Sequence, residues 1–310
     1  MLYGHGQASE DLAPQKGMQP PQPSLPARGR ARRQARRRLS LSGPTADRAA
    51  SERWIYGRHA VAAALANPER RWHRLAVLAG KEQEARALVA AATAARSGED
   101  EPIRVLDRSG FAALLPEDAV HQGLALAVEP LAEPDLEDVL RRARTVSGRS
   151  VVVLLDQVSD PHNVGAVLRS ASAFGALAVV LTMHRAPLAT GALAKAASGA
   201  LERVPLVRVA NLARALDRLK EAAFWICGLD ETASQTLAAL DLGERVALVL
   251  GSEGGGMRRL VRERCDHLAR LPTRAQQSTI NVSNAAAVAL YELMRVELPL
   301  VGSTSSLAMR

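Results

Sequence analysis

From Val151 onward, short unbroken apolar runs alternate with helical stretches, and this alternation constrains the fold more than any other feature. Val151–Leu155 is continuous in apolar residues, as a strand buried on both faces requires. Further strands are predicted at 177–182, 204–209, 224–229, 246–250 and 267–271, with helices between them and a long helix over 282–297. Such an alternation implies a parallel, doubly wound α/β sheet. Ligands of these sheets bind beyond the carboxyl ends of the strands, so the loops there are the place to look for chemistry.

A second, smaller α/β unit precedes it. The pattern predicts a helix over Arg58–Ala66 ended by Asn67-Pro68, a strand over Arg74–Ala79 and a helix over Glu82–Arg96 closed by Ser97-Gly98. A strand follows over Ile103–Leu106, then a short helix capped by Ser109 and ended by Pro116, then a strand over Leu124–Val128. The unit is small but within the range of domains that fold alone. Residues 131–149 read as a linker, with Pro130 and Pro134 as punctuation and a helix over Leu136–Arg144.

Charge is distributed unevenly along the 310 residues. The formal net charge is +8, a balance that favours a polyanionic partner and carries no information about fold. Residues 1–50 hold nine basic residues (Lys16, Arg48 and seven arginines from Arg28 to Arg38) against Glu10, Asp11 and Asp47. That stretch is rich in proline and lacks apolar periodicity, so it reads as disordered. Either it contacts phosphates without sequence preference or it is a solvated tail. The remainder is nearly neutral, so a nucleic-acid surface there must be a local patch. Arg58 and His59 at the first helix face either RNA or solvent.

Several classes are excluded. Aromatic residues make up 3 %, too few for a base-stacking sheet. Cys227 and Cys265 lie too far apart for a CxxC motif, a zinc knuckle or a disulfide framework. No apolar run approaches the ~18 residues of a membrane span, and the N-terminus has no apolar signal region. The expectation is a cytoplasmic protein with no membrane association and no metal site.

Three loops, each after a strand and before a helix, carry the chemistry. In the first, Asp156 to Gly165, Asn163 stands where a helix N-cap is expected, Gly165 permits close approach of another chain or a ligand, and Arg169 reaches back towards the cap. The plain alternative is a capped helix with a surface arginine. His162 is either a proton carrier or an orienting or phosphate-contacting group. The second, Gly251-Ser252-Glu253-Gly254-Gly255-Gly256, is neither a Walker A loop nor a dinucleotide fingerprint. Its glycines imply a sharp bend or a close ligand, and Glu253 at a helix start is favoured by the dipole. The third, Leu271 to Asn284, is polar and then opens an apolar helix; Ser278, Asn281, Ser283 and Asn284 offer more short polar groups than one cap needs.

Together, DPHNVGAVLRSASAFGA (160–176), LVLGSEGGGMRRLVRERCD (248–266) and STINVSNAAAVALYEL (278–293) resemble motifs 1, 2 and 3 of the SpoU/TrmH-type RNA ribose 2′-O-methyltransferases of the SPOUT superfamily. The intervening KAASGALERVPLVRV, with Lys195, Ser198, Gly199 and Glu202, also fits. WIYGRHAVAAAL near residue 55 and HQGLALAVEPL near residue 121 are similar to the front domain of two-domain members. The resemblance spans roughly residues 53–298 and is greatest to the branch that methylates a guanosine ribose in 23S ribosomal RNA. A tRNA ribose methyltransferase and a catalytically silent RNA-binding relative are the alternatives. A nucleotide-dependent oxidoreductase is disfavoured, since no GxGxxG follows Val151–Leu155.

The resemblance implies the fold class: an α/β SPOUT methyltransferase domain (an alpha/beta knot, with a deep trefoil knot) preceded by a small L30e-like α/β substrate-binding domain. It implies a basic tail at 1–52, an RNA-binding domain at 53–130, a linker at 131–149, the methyltransferase domain at 150–302 and a short tail at 303–310. The implied methyl donor is S-adenosylmethionine, held around Gly251, Leu271, Ile280 and Asn281. The implied catalytic set is Arg169 with Asn163, Glu253, Ser278 and Asn281. The implied assembly is a homodimer through the knotted domain. Ile280, Thr279 and Asn284 depart from the usual third motif, as does Leu271-Pro272-Thr273 from the usual strand end; these changes bear on RNA preference more than on activity.

Overall fold

A computed structural model describes residues 53–93, 103–184, 187, 191–274 and 280–297. The basic tail, the glutamine-rich part of the third loop with Ser278, and the C-terminal stretch lie outside the described residues.

The front domain is a four-stranded sheet of order β1-β4-β2-β3, built from β1 (Arg53–Tyr56), β2 (Trp72–Leu78), β3 (Ile103–Leu106) and β4 (Leu124–Val128). β4 pairs antiparallel with β1 and β2, while β2 and β3 run parallel. Three helices accompany it: α1 (Arg58–Ala66), α2 (Glu82–Thr93) and α3 (Arg108–Leu114). β1 was not expected: its four residues, Arg-Trp-Ile-Tyr, show no clear alternation, and it forms by pairing with fully buried β4. The cap of α3 is Asp107, whose carboxylate accepts from Gly110 N at 2.8 Å; Ser109 instead donates its hydroxyl to that carboxylate.

The larger domain has seven strands in the order β7-β6-β5-β10-β8-β11-β9. They are β5 (Ser150–Leu155), β6 (Ala178–Thr182), β7 (Leu206–Val209), β8 (Trp225–Leu229), β9 (Gln235–Thr236), β10 (Arg245–Leu250) and β11 (His267–Arg270). All their pairings are parallel, as the unbroken apolar runs predict. The two-residue β9 is an edge addition too short to leave a pattern. The helices are α4 (Leu136–Ala143), α5 (Pro161–Ala173), α6 (Gly191–Ala197), α7 (Leu212–Glu221), α8 (Arg259–Arg262) and α9 (Val282–Met294).

Period-two alternation along β5 sends Val151, Val153 and Leu155 to one face, where they join Val164 and Leu168 of α5, Leu193 of α6 and Leu290 of α9. Val152 and Leu154 face the other way, onto Val139 and Leu140 of α4 and Leu212, Leu216 and Leu219 of α7. Helix α4, expected within a linker, is thus an outer layer of the large sheet. Asp135 and Asp138 cap it reciprocally, each carboxylate accepting from the other's backbone N–H at 2.8 and 3.1 Å.

The first apolar cluster does not stop at the domain boundary. It continues into Ile55, Val61, Leu65, Leu75 and Leu126 of the front domain. Two glycines let the backbones meet there: a Cβ on Gly199 would lie 2.5 Å from Ala63 Cβ, and one on Gly191 would lie 2.4 Å from the Tyr56 ring. At the centre of the seam Arg70 forks onto Glu202, with Nη2–Oε1 at 2.6 Å and Nε–Oε2 at 3.1 Å. Asn67 donates to the same carboxylate at 2.8 Å, and Arg70 Nη1 donates to the Glu129 carbonyl at 2.8 Å. Both charged side chains are about 95 % buried, at 5 % and 4 % exposure.

Candidate functional site

The three expected loops meet beyond the carboxyl ends of β5, β10 and β11. The first begins at Asp156, which is fully buried, passes Gln157 in a left-handed conformation (φ 62°) and enters α5 at Pro161. The cap of α5 is Asp160, whose carboxylate accepts from His162 N at 3.0 Å. This corrects the expected cap at Asn163. Asn163 lies inside the first turn, which frees its amide for contacts outside its own helix. Gly165 serves the same chain: its Cβ would lie 2.4 Å from Ala196 Cβ and 2.9 Å from Ala197 N, so it permits α5 and α6 to touch.

The second loop turns back at once. Ser252 and Gly256 exchange two backbone hydrogen bonds, Ser252 N to Gly256 O at 3.1 Å and Gly256 N to Ser252 O at 2.9 Å. Gly254 and Gly256 take positive φ, 78° and 61°. A Cβ on Gly251 would sit 2.1 Å from the Gly256 carbonyl carbon, so glycine is required there by the loop's own return. Glu253 stands at the tip, well before α8, and so does not occupy the start of its own following helix. It reaches the N-terminus of α9 instead, where its Oε1 lies 3.4 Å from Val282 N. The dipole argument holds, with a different helix.

The third loop ends on Asn281, the cap of α9, whose Oδ1 accepts from Ser283 N at 2.9 Å and from Ser283 Oγ at 2.6 Å. Its Nδ2 donates to Glu253 Oε1 at 2.5 Å and to Asn163 Oδ1 at 3.1 Å. Asn163 Nδ2 completes the triangle onto Glu253 Oε1 at 3.3 Å. One residue from each loop therefore joins a single hydrogen-bonded cluster, with 118 residues between Asn163 and Asn281. Both amides use donor and acceptor ends consistently.

Arg169 is exposed on α5, and its side chain forms no hydrogen bond or ion pair among the described residues. The structure does not join it to the Asn163–Glu253–Asn281 cluster. Leu271, directly after β11, is half-buried against the core, and Ile280, next to Asn281, is 37 % exposed.

One brace escaped the sequence reading. Asp156 accepts from Arg258 N at 2.7 Å and from Arg258 Nε at 2.8 Å, with Nη2 at 2.6 Å. This ties the root of the first loop to the exit of the second. Its signal was present: a lone carboxylate straight after the five-residue apolar run Val151–Leu155 must find a cation. Among the described residues, no group of three or more His, Cys, Asp and Glu side chains is placed to hold a metal ion. No helix among them is long and apolar enough to cross a membrane.

A parallel α/β domain with a polar cluster beyond its strand ends, packed against a small mixed-sheet domain, is a two-domain arrangement with its candidate site on the larger domain. Comparison with known proteins carries this further. The profile of the SpoU rRNA Methylase family matches residues 150–291. That of the RNA 2′-O ribose methyltransferase substrate-binding family matches residues 54–134. The 23S rRNA (guanosine-2′-O-)-methyltransferase RlmB of Pseudomonas aeruginosa is 39 % identical over 249 residues, covering 79 % of this chain and 97 % of that protein. The Uncharacterized tRNA/rRNA methyltransferase slr0955 of Synechocystis is 38 % identical over 243 residues, 78 % of this chain. The chain spans 62 % of that longer relative's length. In fold, the chain matches the SpoU methyltransferase AviRb of Streptomyces viridochromogenes, solved with AdoMet, at a TM-score of 0.64, with 83 % of this chain and 94 % of that one covered at 23 % identity. The chain belongs to the SpoU rRNA methylase family.

Proposed function

We propose that the protein methylates a guanosine ribose 2′-hydroxyl in 23S ribosomal RNA, with S-adenosylmethionine as donor. The observation that carries this reading is the hydrogen-bonded convergence of Asn163, Glu253 and Asn281, one from each of the three motifs. The ribosomal target is supported by the Pseudomonas relative, a 23S rRNA (guanosine-2′-O-)-methyltransferase by name.

The residues present fit the donor. Leu271, directly after β11, and Ile280, next to Asn281, are apolar and not fully buried, and Gly251 brings no side chain to the end of β10. Such residues suit an adenine read by main-chain groups. When bound, S-adenosylmethionine supplies an activated methyl group on its sulfonium. The chain's own task is then to place the ribose hydroxyl. The Arg169 guanidinium stays protonated at any working pH. It stabilises the negative charge developing on the 2′-oxygen, or grips an adjacent phosphate. Asn163, Glu253 and Asn281 orient the ribose; only Oε1 of Glu253 is engaged within the cluster, and its second oxygen is offered to the RNA. Ser278 takes part in the same role.

The same reading brings a homodimer through the knotted domain. It is supported by Val288 and Tyr291, which lie one turn apart on α9 and are 50 % and 52 % exposed. The knotted path is in keeping with β10 lying between β5 and β8 in the sheet. A ribosomal substrate places the work in the cytoplasm. The test is a map of ribose methylation across total RNA with and without the gene. A missing guanosine methylation in 23S RNA is expected; a change confined to tRNA, or none, refutes the target.

A further inference from the structure

Charges at the centre of the seam cancel, but those at its edge do not. There Lys195 of α6 projects from the larger domain onto the front domain, and its Nζ donates to Gln122 Oε1 at 2.7 Å. The same oxygen accepts from Arg58 N at 3.1 Å, so the ammonium sits against the start of α1. It lies so close that a Cβ on Gly57 would be 2.5 Å from Nζ. The partner is an amide, not a carboxylate, and burial lowers the Lys195 pKa. Arg58 and Lys81 share one carboxylate, Glu84, at 2.9 Å each. The first turn of α1 contains no acidic residue, and His59 is exposed on it. Among the described residues Arg58 and Lys81 thus share a single carboxylate, and Lys195 has an amide in place of one.

Two non-glycine residues at the patch hold left-handed backbones, Gln122 at φ 55° and Ser198 at φ 49°. Such strain persists where the surroundings demand a particular placement. Here Gln122 aims one oxygen at both domains, and Ser198 N bonds back to Lys195 O at 3.1 Å. Helix α6 also packs directly on α5, through Ala196 against Gly165. The patch is therefore one helix away from the element that carries Asn163 and Arg169.

We propose that Lys195, Arg58 and His59 form a phosphate-contacting patch across the seam, which grips the sugar–phosphate backbone of the substrate RNA while its target ribose lies at the Asn163–Glu253–Asn281 cluster. The inference rests on the RNA methyltransferase reading above. A basic patch with dispersed donors and no aromatic platform reads phosphates and not bases. It belongs to both domains, so RNA bound there lies at a fixed distance from the reacting group.

The test uses the full-length protein and an in vitro 23S rRNA transcript, with affinity measured across a salt series. Lys195→Gln is expected to weaken binding several-fold and to reduce the slope of log affinity against log salt by about one. Lys220→Gln removes the same charge beside Asp266, away from the patch, and is expected to leave the slope unchanged. Arg58→Gln with His59→Gln, both exposed, gives a comparable fall and decides the matter if Lys195→Gln does not fold; Lys195→Arg restores binding. A slope equal to that of the parent in both patch variants overturns the proposal, as does an equal fall in Lys220→Gln. An unchanged RNA slope with lost binding to polyglutamate assigns the patch to an acidic protein and also overturns it. Failure of the parent to bind or methylate the transcript is different: it refutes the functional reading itself.

Discussion

Glu202→Ala tests whether the two domains work as one body. The substitution removes the carboxylate that accepts from Arg70 Nε and Nη2 and from Asn67 Nδ2, at 3.1, 2.6 and 2.8 Å. Arg70 keeps its 2.8 Å bond to the Glu129 carbonyl but loses its counter-charge at a site where 5 % of its side chain is exposed. Breaking one side of a buried pair costs about 3–5 kcal/mol. A loss of 1 kcal/mol lowers Tm by about 2–4 °C in a domain of 150–250 residues, so the variant melts roughly 6–20 °C below the parent. Arg70→Met costs a similar amount, because it strands the carboxylate. Arg70→Met with Glu202→Leu removes both charges and recovers most of the loss, since an apolar replacement of a whole buried pair is near neutral. Urea unfolding of the parent, Arg70→Met, Glu202→Leu and the double variant gives the coupling energy directly. Single variants within about 0.5 kcal/mol of the parent, the range of an ordinary surface change, would falsify the argument: the seam would then be open in solution and the front domain free on its linker.

Four further outcomes follow from the loops and the core. Asp156→Ala is expected to cost about 1–3 kcal/mol, less than the seam variant, because Arg258 is 46 % exposed and rehydrates. Its effect on methylation falls on kcat more than on KM for RNA, as steady-state kinetics would show. Arg169→Ala is expected to reduce methyl transfer about 10²–10³-fold while calorimetry shows donor binding retained; equal activity removes the role assigned to this arginine. Gly251→Ala forces a methyl group to 2.1 Å from the Gly256 backbone, so the turn reopens and activity is lost with circular dichroism unchanged. Burial pushes the Cys227 and Cys265 thiols up to about 12 from 9.0. A thiol raised in the folded state contributes stability that is present below about pH 9 and is lost as pH climbs towards 12. Urea midpoints are therefore expected to fall between about pH 9 and 12, and Cys227→Ala to reduce that fall.

What the sequence shows and what it hides follow from the range over which each feature is decided. The central strands were legible because burial on both faces leaves a continuous apolar run, as in β5 and β6, which are buried throughout. β1 and β9 were not, because their pairing is dictated by a neighbour already in place. Caps were misassigned by two or three residues, at Ser109 for Asp107 and at Asn163 for Asp160. In each stretch several residues can cap, and local propensity does not choose among them. Tertiary structure chooses: Asn163 is needed against Glu253 and Asn281, so Asp160 takes the cap. The three-loop cluster was visible only as separate polar surpluses, each of which had a plain explanation. Its coherence needed partners 90 and 118 residues apart.

The seam lies furthest from sequence reasoning and bears most on how the site is used. Arg70 and Glu202 are 132 residues apart, and neither stands in a loop that advertises chemistry. Both the apolar cluster and the ion pair cross between domains, and they do different work. Apolar burial drives association without fixing register. A forked guanidinium–carboxylate pair has one good geometry, so Glu202 sets how the front domain is turned. The glycines at 191 and 199 then bring the backbones close enough for that pair to form. If RNA is gripped at the edge as proposed, a front domain held this way fixes the span from that edge to the Asn163–Glu253–Asn281 cluster, and a variant that loosens the Arg70–Glu202 pair is expected to blur the choice of nucleotide.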